Sequence, residues 1–84
     1  MKTMMNVRAN AEETRANISI TANYNGVDKI REFGEIKEKY SDAEKLGMKW
    51  NNNTGEYEAE IDLTPENAKP FVDYAESHQI EIIM

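Results

Sequence analysis

Residues 47–63 read GMKWNNNTGEYEAEIDL. Two extended runs flank a polar loop with a glycine, residues 51–55, which is the composition of a β-hairpin connection. In the second run apolar and acidic residues alternate at every step: Tyr57, Ala59, Ile61 and Leu63 against Glu56, Glu58, Glu60 and Asp62. Since successive strand side chains point to opposite faces, the pattern predicts one face in the core and four carboxylates on the other. We call Glu56, Glu58, Glu60 and Asp62 the acidic row.

Upstream of the hairpin the sequence predicts a strand and then a helix. Residues 18–24 alternate strictly, with Ile18, Ile20, Ala22 and Tyr24 on one side, which indicates a half-buried strand. Asp28 is placed to cap a helix that starts at Lys29. The apolar side of this helix is predicted to contain Val27, Ile30, Phe33, Ile36 and Tyr40.

Downstream of the hairpin the sequence predicts a second helix and a closing strand. Thr64 and Pro65 have the form of a helix cap followed by a first-position proline, and Pro70 leaves a later start open. The buried face of this helix is predicted to be Ala68, Phe71, Val72 and Ala75. Ile80, Ile82 and Met84 then alternate with Glu81 and Ile83, which predicts a strand to the last residue.

The predicted fold class is α+β. The order strand, helix, strand, strand, helix, strand favours a ferredoxin-like βαββαβ domain, a four-stranded antiparallel sheet with both helices on one face. Residues 17–84 form this single domain. Residues 1–16 show no clean period, so we predict a poorly ordered N-terminal arm.

Composition and charge limit the functions that this chain can have. It has 84 residues, no cysteine and no apolar run of membrane-spanning length, and we expect a cytoplasmic protein. The net charge is −6, and residues 47–84 contain two lysines against eight acidic residues, so the excess lies there. Such a field repels phosphate backbones and anionic membranes and attracts basic proteins. Recognition of RNA by aromatic side chains of the sheet is disfavoured, because the third strand presents carboxylates outward.

No catalytic, metal or cofactor signature stands out in the sequence. The single histidine, His78, has no second histidine or cysteine at ligand spacing, so a solvated or helix-capping role is expected. The sequence contains no phosphate-binding glycine loop and no Ser/His/Asp set. We therefore predict a protein that is not an enzyme and that has no catalytic residues, cofactor or metal.

One enzyme family is nevertheless similar in part. Residues 43–47, AEKLG, followed by Trp50, three asparagines, Gly55 and Glu58, resemble the central region of acylphosphatases. The resemblance implies a phosphate-binding arginine after the first strand and an asparagine, Asn51 or Asn53, that orients the attacking water. The corresponding loop, residues 24–29, has no arginine and contains Asp28.

A second family resemblance concerns nucleic-acid transactions. Residues 46–57, LGMKWNNNTGEY, with the preceding helix and the helix–strand ending, resemble HARP-type accessory domains of annealing helicases and related short phage-type domains. The resemblance covers residues 28–84 and implies a nucleic-acid accessory module. That alternative would use the basic residues Arg8, Arg15, Lys29, Arg31, Lys37, Lys39 and Lys45.

The leading hypothesis is an interaction protein, an inhibitor or adaptor, with an acidic sheet face. Regularly spaced carboxylates on a rigid strand imitate a row of phosphates, so the face would dock on a basic groove, including one that binds nucleic acid. In character the chain is similar to phage-encoded DNA-mimic inhibitors, including anti-CRISPR proteins. The predicted partner-binding residues are Glu56, Glu58, Glu60, Asp62 and Glu81. Exposed sheet edges also leave a homodimer open.

Overall fold

The structure is a computed structural model that describes residues 2–23 and 35–84. In this part of the chain five strands form one sheet, accompanied by two α-helices and a 3₁₀ helix. The elements are β1 (Lys2–Ala9), β2 (Arg15–Asn23), the helical residues 35–39 (α1), the 3₁₀ helix η1 (Ser41–Leu46), β3 (Lys49–Asn51), β4 (Glu56–Asp62), α2 (Pro65–Ser77) and β5 (Glu81–Ile83).

The sheet is mixed, with the strand order β3-β4-β2-β1-β5. The β1–β2, β2–β4 and β3–β4 pairs are antiparallel, whereas β1 and β5 are parallel. The α+β class is therefore confirmed, but the sheet is not the predicted four-stranded antiparallel one. β1 lies between β2 and β5, the first and last strands of the predicted βαββαβ unit, and separates them.

The structure also corrects the predicted arm over residues 1–16. Lys2–Ala9 form a strand that pairs along its whole length with β2, and β2 itself begins at Arg15. Met5 is fully buried and Val7 packs against the core. The alternation of Thr3, Met5 and Val7 is hidden in the sequence because Met4, on the other face, is apolar as well.

The β1–β2 connection, residues 10–14, is organised by Asn10. Its side-chain oxygen accepts hydrogen bonds from the backbone N–H of Thr14 at 2.8 Å and of Arg15 at 3.2 Å. Glu13 takes the left-handed conformation, with φ of 57°, which a non-glycine residue adopts in tight turns. The loop therefore determines that β2 begins at Arg15.

The β3–β4 hairpin confirms the prediction from residues 47–63. Trp50 lies opposite Tyr57, and their rings meet edge to face with centroids 5.0 Å apart, a geometry that aromatic pairs prefer. The Asn51 side-chain oxygen accepts from the N–H of Asn53 at 2.9 Å, and Gly55 adopts a positive φ of 72°. The aromatic pair and the turn together determine the register of the hairpin.

The helices cover one face of the sheet, and the hydrophobic core lies between that face and the helices. Side chains from all five strands meet α1, η1 and α2 there; the largest fully buried side chains of the core are Tyr57, Met5, Ile20 and Ile36. We call this the covered face. The Tyr57 hydroxyl crosses to the helical layer and donates to the carbonyl of Lys37 at 2.8 Å.

Helix α2 starts at Pro65, the earlier of the two predicted starts. The Thr64 hydroxyl accepts from the N–H of Asn67 at 3.2 Å, and Pro70 lies inside the helix. The buried residues of α2 are Phe71, Tyr74 and Ala75, whereas Val72 is 38% exposed, contrary to prediction. Tyr74, at i+3 from Phe71, takes the buried position beside Ala75 in place of Val72.

The predicted first helix can be assessed only in its last part. Ile36 and Tyr40 are buried, as expected. The predicted cap at Asp28 and the apolar residues Val27, Ile30 and Phe33, like Tyr24 of the preceding strand, lie outside the described residues.

Candidate functional site

The opposite face of the sheet is the candidate site, and we call it the open face. Among residues 2–23 and 35–84, the helical elements all pack on the covered face. The open face consists of the alternate strand residues that point away from them. These include Met4, Asn6, Arg8, Arg15, Asn17, Ser19, Thr21, Lys49, Asn51, Glu56, Glu58, Glu60, Asp62, Glu81 and Ile83.

The acidic row lies on the open face, because Tyr57 points into the core. β4 is an interior strand of the sheet, held by β2 on one side and by β3 on the other. Backbones of alternate residues on such a strand are about 6.6–6.8 Å apart. β2 pairs with Tyr57–Asp62 and β3 pairs with Glu56–Glu58, so each carboxylate projects from a backbone with a neighbouring strand on at least one side, and Glu58 has one on both. Three of the four carboxylates, those of Glu58, Glu60 and Asp62, are also bonded to side chains of the chain.

Arg15 neutralises one end of the acidic row, which corrects the prediction of a uniformly acidic face. Its Nε donates to Glu60 Oε1 at 2.7 Å, and its Nη1 donates to Asp62, its cross-strand neighbour. The hydrogen bond and charge of Glu60 raise the pKa of the Arg15 guanidinium above its ordinary value. Sequence reasoning missed this contact because it placed Arg15 in an arm. The signal was the alternation of Arg15, Asn17 and Ser19, which extends the predicted strand back from Ile18 to Arg15.

The other end of the row has different neighbours. Glu58 accepts hydrogen bonds from Asn51 Nδ2 at 3.2 Å and from the Thr54 hydroxyl at 3.4 Å. Lys49 lies opposite Glu58 on β3, and Ser19 lies opposite it on β2. Glu58 is thus oriented by neutral side chains, with a single lysine at the flanking edge strand.

The fifth predicted residue, Glu81, is not part of this cluster. It lies on the open face of β5, opposite Met4 of β1. Two strands, β2 and β1, separate β5 from β4, which corresponds to about 14 Å at normal strand spacing. The structure therefore brings together four of the five predicted residues and leaves Glu81 toward the other edge of the sheet.

A groove of about 770 Å³ runs along the open face beside the acidic row. Three carboxylates, two basic groups and several neutral polar groups line it: Glu56, Glu58, Glu60, Arg8, Lys49, Asn17, Ser19 and Thr54. The lining is more acidic than basic, and it also includes two apolar side chains, Ile18 and Ala59. Such a groove suits a charged, extended ligand better than an apolar small molecule.

A second polar cluster joins η1 to the end of α2. The Tyr74 hydroxyl donates to Asp42 Oδ1 at 2.7 Å, and His78 Nε2 lies 3.3 Å from Asp42 Oδ2. The hydrogen bond from Tyr74 lowers the pKa of the Asp42 carboxyl, and burial together with this bond raises the pKa of the Tyr74 phenol. His78 is the C-cap residue of α2 and stacks on Tyr74 with centroids 4.0 Å apart, in line with the predicted capping role. The cluster connects two helical elements and lies away from the groove.

The residues implied by the two family resemblances are dispersed or engaged. Asn51 holds the hairpin turn with its side-chain oxygen, an occupation that competes with orienting a water molecule. Of the basic residues, Arg8 and Arg15 lie on the open face, whereas Lys37, Lys39 and Lys45 belong to the helical layer. Lys29 and Arg31 lie outside the described residues.

No protein-family model, curated protein or solved structure matches this chain. Within residues 2–23 and 35–84, none of the helices combines the length and the hydropathy needed to cross a bilayer. In the same residues no three His, Cys, Asp or Glu side chains are grouped as metal ligands. The open face is therefore the feature of this protein from which its function can be inferred.

Proposed function

We propose that this protein is a small non-enzymatic interaction protein, an inhibitor or adaptor, that docks its open face on a basic surface of a partner protein. The observation that carries the proposal is the position of Glu56, Glu58 and Glu60, which line a groove from an interior strand. The basic surfaces that fit best are those that otherwise bind nucleic-acid phosphates.

The rigidity of β4 supports this proposal. Binding through flexible side chains or tails loses conformational freedom, and that loss weakens the complex. Here the backbone of the row is held by β2 and β3, and Asn51 and Thr54 orient Glu58. The carboxylates are therefore partly ordered before a partner arrives, so less entropy is lost on binding.

The charge of the chain supports it as well. A net charge of −6 concentrated in residues 47–84 accelerates encounters with a basic partner and disfavours phosphate backbones. Because the groove also contains Arg8 and Lys49, the fitting partner surface is predominantly basic with acidic groups at its margin. This mixed requirement gives specificity beyond simple attraction of opposite charges.

The test uses a fluorescent synthetic peptide of alternating arginine and serine, in which basic side chains recur at the spacing of alternate strand residues. We expect the wild-type protein to bind the peptide at low salt and to lose affinity as salt screens the charges. Replacing Glu56, Glu58 and Glu60 by Gln is expected to weaken binding by about tenfold or more, which corresponds to about 1.4 kcal/mol.

The matched control replaces Glu44, Glu66 and Glu76 by Gln. These three exposed residues lie in η1 and α2, away from the groove, and their replacement changes the net charge by the same amount. Equal losses in the two triple variants, or no binding by the wild type, would overturn the proposal. Binding of a short DNA duplex in place of the peptide would favour the nucleic-acid accessory module.

A further inference from the structure

Arg15 already makes the contact that a basic partner would make with the acidic row. Its Nε and Nη2 both lie 2.7 Å from Glu60 Oε1, and its Nη1 reaches Asp62. A planar guanidinium that contacts two carboxylates is a favoured geometry for arginine. One end of the row is therefore occupied by the chain's own cation.

The position of Arg15 is determined by its own hairpin. Asn10 binds the backbone of Arg15, and the carbonyl of Thr14 accepts from the N–H of Leu63, just beyond β4. These contacts place Arg15 directly opposite Asp62. This placement results from the register of β2 and β4, so Arg15 and Asp62 are cross-strand neighbours whenever the sheet is formed in this register.

The contact is exposed and therefore easily exchanged. The side chains of Arg15, Glu60 and Asp62 are 48%, 56% and 65% exposed. Water and salt weaken ion pairs of this kind, and their net contribution to folding is small. A competing arginine can replace Arg15 without loss of the fold, because the backbone pairing of β2 and β4 does not depend on the side chain.

We propose that Arg15 is an internal competitor that covers the Glu60–Asp62 end of the acidic row and is displaced when a basic segment docks. This inference rests on the proposed function. Glu56 and Glu58 make the first contact, since the β2 residue opposite Glu58 is the neutral Ser19. Arg15 then leaves Glu60 and Asp62 to the incoming guanidinium groups, so only partners with several arginines bind fully.

The experiment compares Arg15→Gln with Lys69→Gln in binding the same arginine–serine peptide. Lys69 forms an exposed ion pair with Asp73 on α2, at 2.7 Å, so both variants remove one positive charge together with its surface ion pairing, two contacts for Arg15 and one for Lys69. We expect Arg15→Gln to bind the peptide about three to five times more tightly than Lys69→Gln, because an exposed pair competes with at most about 1 kcal/mol. Equal affinities of the two variants would overturn the inference.

A direct readout is the NMR signal of the Arg15 Nε–H. We expect its exchange with solvent to accelerate when the peptide saturates the wild-type protein, because the hydrogen bond to Glu60 is broken. An unchanged signal at saturation would overturn the inference while leaving the proposed function intact. If neither the wild type nor Arg15→Gln binds the peptide, the proposed function itself fails.

Discussion

Tyr57 and Glu58 are neighbours in β4, but they belong to two surfaces with different physical roles. Tyr57 is 1% exposed, packs in the core and donates to a carbonyl of the helical layer. Glu58 points the other way, into the groove, and accepts hydrogen bonds from Asn51 and Thr54 of its own hairpin. The strand alternation thus separates the residues that stabilise the fold from those available for binding. Changes on the covered face should alter stability, and changes on the open face should alter binding.

The largest effect is expected from a pair of identical substitutions in β1. Met5 is fully buried on the covered face, and Met4 lies next to it on the open face. Met5→Ala is expected to lower the free energy of unfolding by about 2–5 kcal/mol, because it removes buried apolar atoms and leaves a cavity. Met4→Ala is expected to cost about 0.5 kcal/mol.

Urea unfolding of both methionine variants measures the difference. The ratio of the two losses in unfolding free energy tests whether β1 is an integral strand of the sheet. Similar small costs for the two substitutions would mean that residues 2–9 are a loosely attached arm, as the sequence pattern predicted, and the contrast between the two faces would not extend to β1.

A smaller, pH-dependent effect is expected from Tyr74→Phe. The lost hydrogen bond to the Asp42 carboxylate is expected to cost about 1–2 kcal/mol at neutral pH, since bonds to charged groups are stronger than neutral ones and Asp42 is half exposed. The Asp42 pKa is lowered in the folded state, so its contribution is present above its unfolded pKa of about 3.9 and is lost as pH falls further. The Tyr74 pKa is raised, so its contribution is present below about pH 10 and is lost as the pH rises beyond that value.

The difference between wild type and Tyr74→Phe should therefore be largest between about pH 4 and pH 10 and decrease on both sides. Tyr57→Phe is the matched control, because its hydroxyl donates to a backbone carbonyl that does not titrate. Its cost should persist in acid. Thermal unfolding followed by circular dichroism across this range gives the stability cost of each variant as a function of pH. If the two costs change in the same way in acid, the hydrogen bond to Asp42 is not the source of the stability that Tyr74 contributes.

The smallest effect on stability is expected from Arg15→Gln. The ion pairs of Arg15 are exposed and screened, so the unfolding midpoint should stay within experimental error at physiological salt. Peptide binding by the same variant should increase. A clear loss of stability in a thermal melt would mean that Arg15 serves the fold, and the separation between the two faces would fail at this residue.

The parts of the fold that could be predicted are those determined by neighbouring residues. The alternation in residues 56–62 correctly separates Tyr57 from the acidic row, and α2 begins at Pro65, the earlier of the two starts that the sequence left open. The prediction that Val72 is in the core was wrong, because Phe71 and Ala75 share a helical face with Tyr74 as well as with Val72, and Tyr74 is the residue that is buried. β1 was missed because two adjacent methionines obscure its period.

In the candidate site, too, some features could be predicted from the sequence and others could not. The orientation of the acidic row was predictable, since side chains of one strand alternate whatever the strand pairs with. Its partial neutralisation by Arg15 was not, because the partner of an ion pair on a sheet depends on which strand lies alongside and in which register. The distance of Glu81 from the row has the same origin.

The sequence by itself determined the α+β class, the hairpin at residues 47–63 and the two faces of its second strand, because these follow from local chemistry and the period of the backbone. Only the tertiary structure decided that β1 lies between β2 and β5, that Arg15 meets Glu60 and Asp62, and that Glu81 stands apart. Those features join residues that are distant in the chain, so they depend on how the strands pair and not on the pattern within any one strand.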